Sequence, residues 1–290
     1  MASENLRKPP SHGSWSLIDA YTPEEIADKI ETVGLYKAHA DPITTVALAL
    51  IAGAYVTFGA GFSTVAMAST GLGYSLTRLL GGLAFSLALV LIIVGGAELF
   101  TSNALLVMGW ASRRITVWRL LRNWGLVLVG NLVGVTLTAV LFAVTGYTAF
   151  GDHAVGVQVL ETATTKLERS ATAAVAVGIL GNALICLAVW LSFSARTTAD
   201  RILAISGPTT AMVAFEFDHV VANAYYHVAA LMIRATEPDV VAAAEMPPDV
   251  LAAVTVPAVA ANLGLVALGN MVGGGGLVAS VYWFVYARQR

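Results

Sequence analysis

Gly130-Asn131-Leu132-Val133-Gly134 recurs almost letter for letter as Gly269-Asn270-Met271-Val272-Gly273, each inside a long apolar run. Either stretch alone is ordinary helix-packing sequence, in which glycine lets helices approach and asparagine hydrogen-bonds across the contact. The five-residue match makes an internal repeat the better reading. Runs long enough to cross roughly 30 Å of hydrocarbon cover residues 43–67, 79–110, 118–147, 171–194, 202–233 and 251–286. The paired motifs fall in the third and sixth. Three crossings per half is an odd number, so the second half must run inverted relative to the first, an architecture common among transporters and channels.

Composition supports this placement. Of 290 residues, 57% are hydrophobic and 12% charged, against about 25% charged in soluble chains. The sequence reads as an all-α integral membrane protein. Its net charge of −2 says nothing about nucleic acid, and no basic patch suggests such a partner. The lone cysteine, Cys186, offers neither a disulfide framework nor a redox pair, and residues 1–37 lack the apolar core of a secretory signal.

Cations set the expected orientation. Arg7, Lys8, Lys29 and Lys37 precede the first span, Arg113, Arg114, Arg119 and Arg122 follow the second, Arg196 and Arg201 follow the fourth, and Arg288 and Arg290 end the chain. The other side has Arg78, Lys166, Arg169 and Arg234 amid acids, so both termini are expected in the cytoplasm of a bacterial inner membrane. Residues 1–42 read as a cytoplasmic segment, 43–287 as the channel domain and 288–290 as a cytoplasmic end. Within the first, Thr22-Pro23-Glu24-Glu25 is a capping box with proline at the first helical position. Ile26, Ile30 and Val33 follow on one face, suggesting an amphipathic helix on the membrane surface.

The second and fifth spans are interrupted. Gly95-Gly96-Ala97-Glu98-Leu99-Phe100-Thr101-Ser102-Asn103 breaks one, and Ser206-Gly207-Pro208-Thr209-Thr210 the other. Non-helical backbone at this depth is tolerated only inside protein or beside water, and matched breaks point to a transport site. Thr or Ser after each break is positioned to cap a half-helix whose N-terminus favours an anion. A second alignment, Glu98-x4-Asn103 with Asp218-x4-Asn223, does not superpose these breaks and weighs little.

Glu216-Phe217-Asp218-His219 adds ionisable groups mid-span, where each costs roughly 2.5–3.5 kcal/mol on insertion scales and normally faces a pathway or a partner. His219 can exchange a proton near neutral pH. The bland reading is a histidine that hydrogen-bonds a neighbour. Glu98 and Asp218 would repel an anion and read better as supports for the broken backbone, together with Ser102, Asn223, Asn131 and Asn270. His227 reads as an interfacial residue near the outer surface.

Gly96-Ala97-Glu98-Leu99-Phe100-Thr101-Ser102, Arg122-Asn123-Trp124, the two Gly-Asn motifs and Phe217-Asp218-His219-Val220-Val221-Ala222-Asn223 together resemble the formate/nitrite transporter family over nearly the whole chain. The resemblance implies an aquaporin-like protomer of six helices in a homopentamer, with one pore per protomer. It implies a mobile loop at residues 99–102 and a central His219 near Thr101. Phe85, Leu89, Leu99, Phe100 and Met212 match positions that narrow the pore, Lys166 an outer-vestibule lysine and Asn182 a pore-lining asparagine. Asp218, Val220, Ala224 and Met212 depart from the commonest family pattern, which leaves the preferred anion open.

The expected function is pH-dependent passage of a small weak-acid anion, formate first, with nitrite or hydrosulfide as alternatives and protons as partners. No cofactor or metal is expected. A membrane enzyme or haem subunit would need paired histidines across spans or a His-Glu-x-x-His motif, and the sequence has neither. A proton-coupled cation transporter using Glu98, Glu216 and Asp218 is the competing class.

Overall fold

The computed structural model describes residues 20–288; Arg7, Lys8 and Arg290 lie outside them. Among the described residues the regular elements are all helices, in the order α1 (Pro23–His39), α2 (Pro42–Met67), α3 (Gly73–Gly95), α4 (Val107–Ala111), α5 (Val117–Val144), α6 (Ala154–Leu167), α7 (Ala171–Ser194), α8 (Thr198–Ala214), α9 (Val220–Thr236), α10 (Pro238–Ala243), α11 (Pro248–Ala252) and α12 (Val256–Met271). The last helix runs on with wider turns to Ala287. Helix starts follow side-chain caps: Asp41, Thr116, Ser170 and Thr255 each accept a hydrogen bond from an amide in the first turn.

Among the described residues, five helices are long and apolar enough to cross a membrane: α2, α3, α5, α7 and Val256–Ala287. They agree with five of the expected runs, although the second is shorter than expected. The run at 202–233 differs: it is divided between α8 and α9, with residues 215–219 non-helical. Its interruption is displaced from the expected place. Ser206 to Thr210 are helical, with Pro208 inside α8. The Ser206 and Thr209 hydroxyls donate to the carbonyls of Ile202 and Ile205, each at 2.8 Å, and the helix runs on past the single amide donor that proline removes. In the first half α3 stops at Gly95, Gly96 takes a left-handed turn (φ 81°), and a tight helical turn begins at Ser102. The discounted alignment therefore matches the chain better: Glu98 and Asp218 both lie in non-helical segments that follow a long helix.

The core forms where α2 packs against α3 and α5, α7 against α8 and α12, and α3 against α8. Glycines of the paired motifs permit two of these approaches. A Cβ at Gly134 would stand 2.1 Å from the Leu50 carbonyl oxygen, and one at Gly273 2.0 Å from that of Ile179. The paired motifs thus set helix contacts on α2 and α7.

α1 begins with the expected capping box: the Thr22 amide donates to Glu25 Oε2 at 2.8 Å, and the Glu25 amide to Thr22 Oγ1 at 3.4 Å. Its apolar face is directed differently from the expectation. Ile26 and Ile30 are buried in a cluster with Leu105, Leu106, Met108 and Ile115 of the same chain, so that face covers protein. This contact buries the apolar area that a surface helix would give to lipid.

Candidate functional site

The two non-helical segments meet at Thr101 and His219, whose Oγ1 and Nε2 are 2.6 Å apart although 118 positions separate them in sequence. His219 caps α9: its Nδ1 accepts from the Ala222 amide at 3.2 Å. With Nδ1 an acceptor, the neutral ring carries its proton on Nε2 and donates it to Thr101. The expected Thr or Ser caps after the breaks are replaced by the histidine itself, because the break falls directly before α9. Ser102 Oγ instead donates to the Leu99 carbonyl at 2.9 Å.

Asparagines hold both segments. Asn131 Oδ1 accepts from the Phe100 amide at 2.9 Å, while its Nδ2 donates to the Ala49 carbonyl at 2.8 Å and that of Glu98 at 2.9 Å. Asn270 Oδ1 accepts from the Val220 amide at 2.9 Å, and its Nδ2 donates to the carbonyls of Gly178 at 2.8 Å and Asp218 at 3.0 Å. Asn182 Nδ2 donates to the Thr101 carbonyl at 3.2 Å and the Asn270 carbonyl at 2.6 Å, tying the two segments together. Peptide groups that lost helical partners at the breaks recover them from these side chains.

The acids are ion-paired. Glu98 is 3.3 Å from Lys37 Nζ and accepts from Asn103 Nδ2 at 2.6 Å. Asp218, fully buried, pairs with Lys166 and with Arg169, whose NH1 lies 2.8 Å from Oδ2. Asn103 Nδ2 also reaches Asn123 Oδ1 (2.9 Å), and Asn123 Nδ2 donates to the Lys37 carbonyl (3.3 Å). Asn223 Nδ2 donates to Asn262 Oδ1 (3.3 Å), and Asn262 Nδ2 to the Lys166 carbonyl (2.9 Å). Each half of the chain therefore has a lysine, an acid and two asparagines in matching contacts.

Sequence reasoning did not assign Lys37, Arg169, Asn123 and Asn262 to this framework, though signals for three of them were present. Asn123 and Asn262 each stand eight residues before the motif asparagines Asn131 and Asn270. Lys37 and Lys166 each stand four residues before the caps Asp41 and Ser170. Only the fold brings Arg169 to Asp218. His227 corrects an expectation: it is fully buried, with Nε2 3.0 Å from Asn262 Oδ1, because α6 and α12 cover that part of α9.

The expected narrowing residues Phe85, Leu89, Leu99, Phe100 and Met212 are all buried in the core cluster. Phe85 and Met212 line a cavity of about 40 Å³ that also reaches His219. A larger one, of about 300 Å³, lies beside it under Tyr74, Arg78, Lys166 and Arg169. The site thus offers a basin lined by Arg78, Lys166 and Arg169 with Glu161 and Glu216, a small neck lined by apolar Phe85, Met212 and Phe217 along with Arg78, Lys166 and Glu216, and a hydrogen-bonded imidazole behind it. No group of acids, histidines and cysteines suited to a metal ion occurs among the described residues.

Comparison with known proteins agrees with the expected resemblance. A family model described as "Formate/nitrite transporter" matches residues 24–284. Formate channel FocA of Escherichia coli is 37% identical over 274 residues, 93% of this chain and 96% of that protein. A probable formate transporter of Methanothermobacter thermautotrophicus is 32% identical, over 92% of this chain and 98% of that protein. A solved structure described as "Pentameric formate channel with formate bound" is similar at TM-score 0.78 and 33% identity, covering 84% of this chain and 97% of that one. An "FNT family ion channel" structure also gives 0.78, at 26% identity, over 90% of this chain and 98% of its own. The chain belongs to the formate/nitrite transporter family of multi-pass membrane transport proteins.

Proposed function

We propose that this protein is a formate channel in which each protomer conducts the small acid past His219, that it works as a homopentamer in a bacterial inner membrane, and that both termini face the cytoplasm. The names of its relatives favour formate and a five-subunit assembly; the cation distribution favours the orientation. Nitrite and hydrosulfide are the family alternatives. The matching hydrogen bonds of Asn131 and Asn270 support an inverted three-plus-three repeat, with α3 and α8 continued beyond their breaks by α4 and α9. In this reading residues 43–287 form the channel and α1 covers its cytoplasmic side.

The observation that carries the reading is the contact of Thr101 with His219 beside the small cavity. A bare anion crosses apolar walls at high cost, and the neutral acid crosses far more cheaply. The ring can supply a proton only after taking a second one, since giving up Nε2–H from its neutral form would leave an imidazolate. That second proton enters at Nδ1 and displaces the Ala222 amide. An anion replacing Thr101 at Nε2 then takes the Nε2 proton and leaves as the acid, which leaves the neutral ring protonated on Nδ1; loss of that proton and reprotonation of Nε2 restore the capping state. The pairing of Glu98, Glu216 and Asp218 with lysine or arginine leaves little support for cation transport through them.

The test is uptake of formate, nitrite, hydrosulfide, acetate and lactate by proteoliposomes between about pH 5 and 8, where an unperturbed imidazole changes charge. Formate is expected to compete best, and His219→Phe to abolish or reshape the pH dependence. Unchanged uptake by that variant across this range would defeat the proton role.

A further inference from the structure

One carboxylate stands where the two cavities join. The basin of about 300 Å³ and the neck of about 40 Å³ share Arg78, Lys166 and Glu216 in their walls. Glu216 Oε1 is 3.3 Å from Arg78 NH2 and accepts from the Tyr74 hydroxyl at 3.2 Å, while Oε2 is 3.8 Å from Arg169 NH2. Backbone bonds fix both guanidiniums around it: Arg78 NH2 donates to the Val213 carbonyl and Arg169 NH2 to the Glu216 carbonyl, each at 3.0 Å.

Charge placement makes this carboxylate unlike the others. Lys166 is committed to Asp218, and Arg169 shares that partner. The ion pair of Arg78 is with Glu216 alone among the described residues, and its buried Nε has no hydrogen-bond partner. Glu216 also has a left-handed backbone (φ 56°), which glycine adopts without cost and other residues adopt uncommonly. The chain keeps a charged side chain there against that local preference. The side chain is 35% exposed, so it has room to turn toward the basin.

We propose that Glu216 is a tethered anion: its carboxylate fills, between Arg78 and Arg169, the place where a small monocarboxylate entering from the basin is held. It thereby sets affinity at this mouth. Conduction needs binding strong enough to admit the ion and weak enough to release it. Without Glu216, Arg78 would lose its ion-pair partner beside Arg169, which keeps Asp218, and guanidiniums so placed would retain a carboxylate, since charge-assisted bonds to such groups are among the strong ones. An internal competitor keeps the pair occupied until the incoming anion replaces it, and recovers its place when the anion moves on.

This inference rests on the formate-channel reading, and one experiment separates the two. Initial rates of labelled formate uptake are measured against outside concentration in intact cells expressing wild type, Glu216→Gln or Glu216→Gly, with the purified proteins compared for elution and melting. The glycine variant relieves the left-handed backbone, so it remains informative if the glutamine variant folds poorly. In both variants the half-saturating formate concentration should fall at least about fivefold and the maximal rate should also fall, with stronger block by acetate. An unchanged half-saturation in a well-folded variant overturns the proposal. A higher one overturns it too, because Glu216 would then be helping the arginines to bind. No formate uptake by the wild type would instead overturn the channel reading.

Discussion

Thr101 Oγ1 and His219 Nε2, 2.6 Å apart, join the non-helical segments that follow α3 and α8. Both side chains are buried. Neither segment has the internal hydrogen bonds of a helix, so their relative position depends on this contact and on Asn182, which donates to the Thr101 carbonyl. Thr101→Val keeps the shape of the side chain and removes its hydroxyl. A buried imidazole N–H left without an acceptor costs ~1–3 kcal/mol. The variant should melt lower than wild type and take up formate at least tenfold more slowly, as read from thermal unfolding and proteoliposome uptake. Full uptake with normal melting would show the contact to be incidental.

Gly134 and Gly273 are expected to resist substitution. A Cβ at either would lie within 2.1 Å of a carbonyl oxygen on the facing helix, whereas one at Gly207 would have nothing within 4 Å. Overpacking typically costs ~1–3 kcal/mol or more. Alanine at 134 or 273 should sharply reduce the yield of folded oligomer on size exclusion, and alanine at 207 should leave it unchanged. Equal yields from all of these would mean the helices separate more easily than their contacts suggest.

Asp218→Asn should be lost through folding. It would leave the half-buried Lys166 and Arg169 against a buried neutral amide, and breaking a buried pair typically costs ~3–5 kcal/mol. Aggregated or degraded protein is the expected outcome, with partial rescue when Lys166→Met is added. A stable Asp218→Asn protein that folds normally yet moves no substrate would assign the carboxylate a direct part in transport.

The start of α1 carries a pH-dependent cap. The Thr22 amide bonded to Glu25 holds that carboxyl below its ordinary 4.5 against the opposing effect of burial, with further lowering from the Thr22 hydroxyl, Arg196 and Lys29. A carboxyl held low in the folded state contributes in full above its ordinary value, and that contribution is lost as pH falls toward the lowered one. Amides in the first turn of α1 should therefore lose protection, measured against their intrinsic exchange rates, in the mildly acidic range below about pH 5. Glu25→Gln should weaken this dependence. Equal dependence in the variant would place the titrating group elsewhere.

The membrane class, the apolar runs, the start of α1 and the motifs of the site are legible in the amino-acid order alone, because these depend on local composition and spacing. Gly130-Asn131 and Gly269-Asn270 could be matched by eye, and each asparagine does make the same three kinds of bond in its own half. Tertiary structure decided what local pattern left open. Pro208 looked like the break, yet α8 stays helical past it, and the chain opens at residues 215–219 instead. His227 looked interfacial until α6 and α12 covered it. The pairings of Lys37 with Glu98, of Lys166 and Arg169 with Asp218, and of Arg78 with Glu216 link residues far apart in sequence. A buried charge is stable only with its partner, and packing rather than spacing chooses which partner arrives.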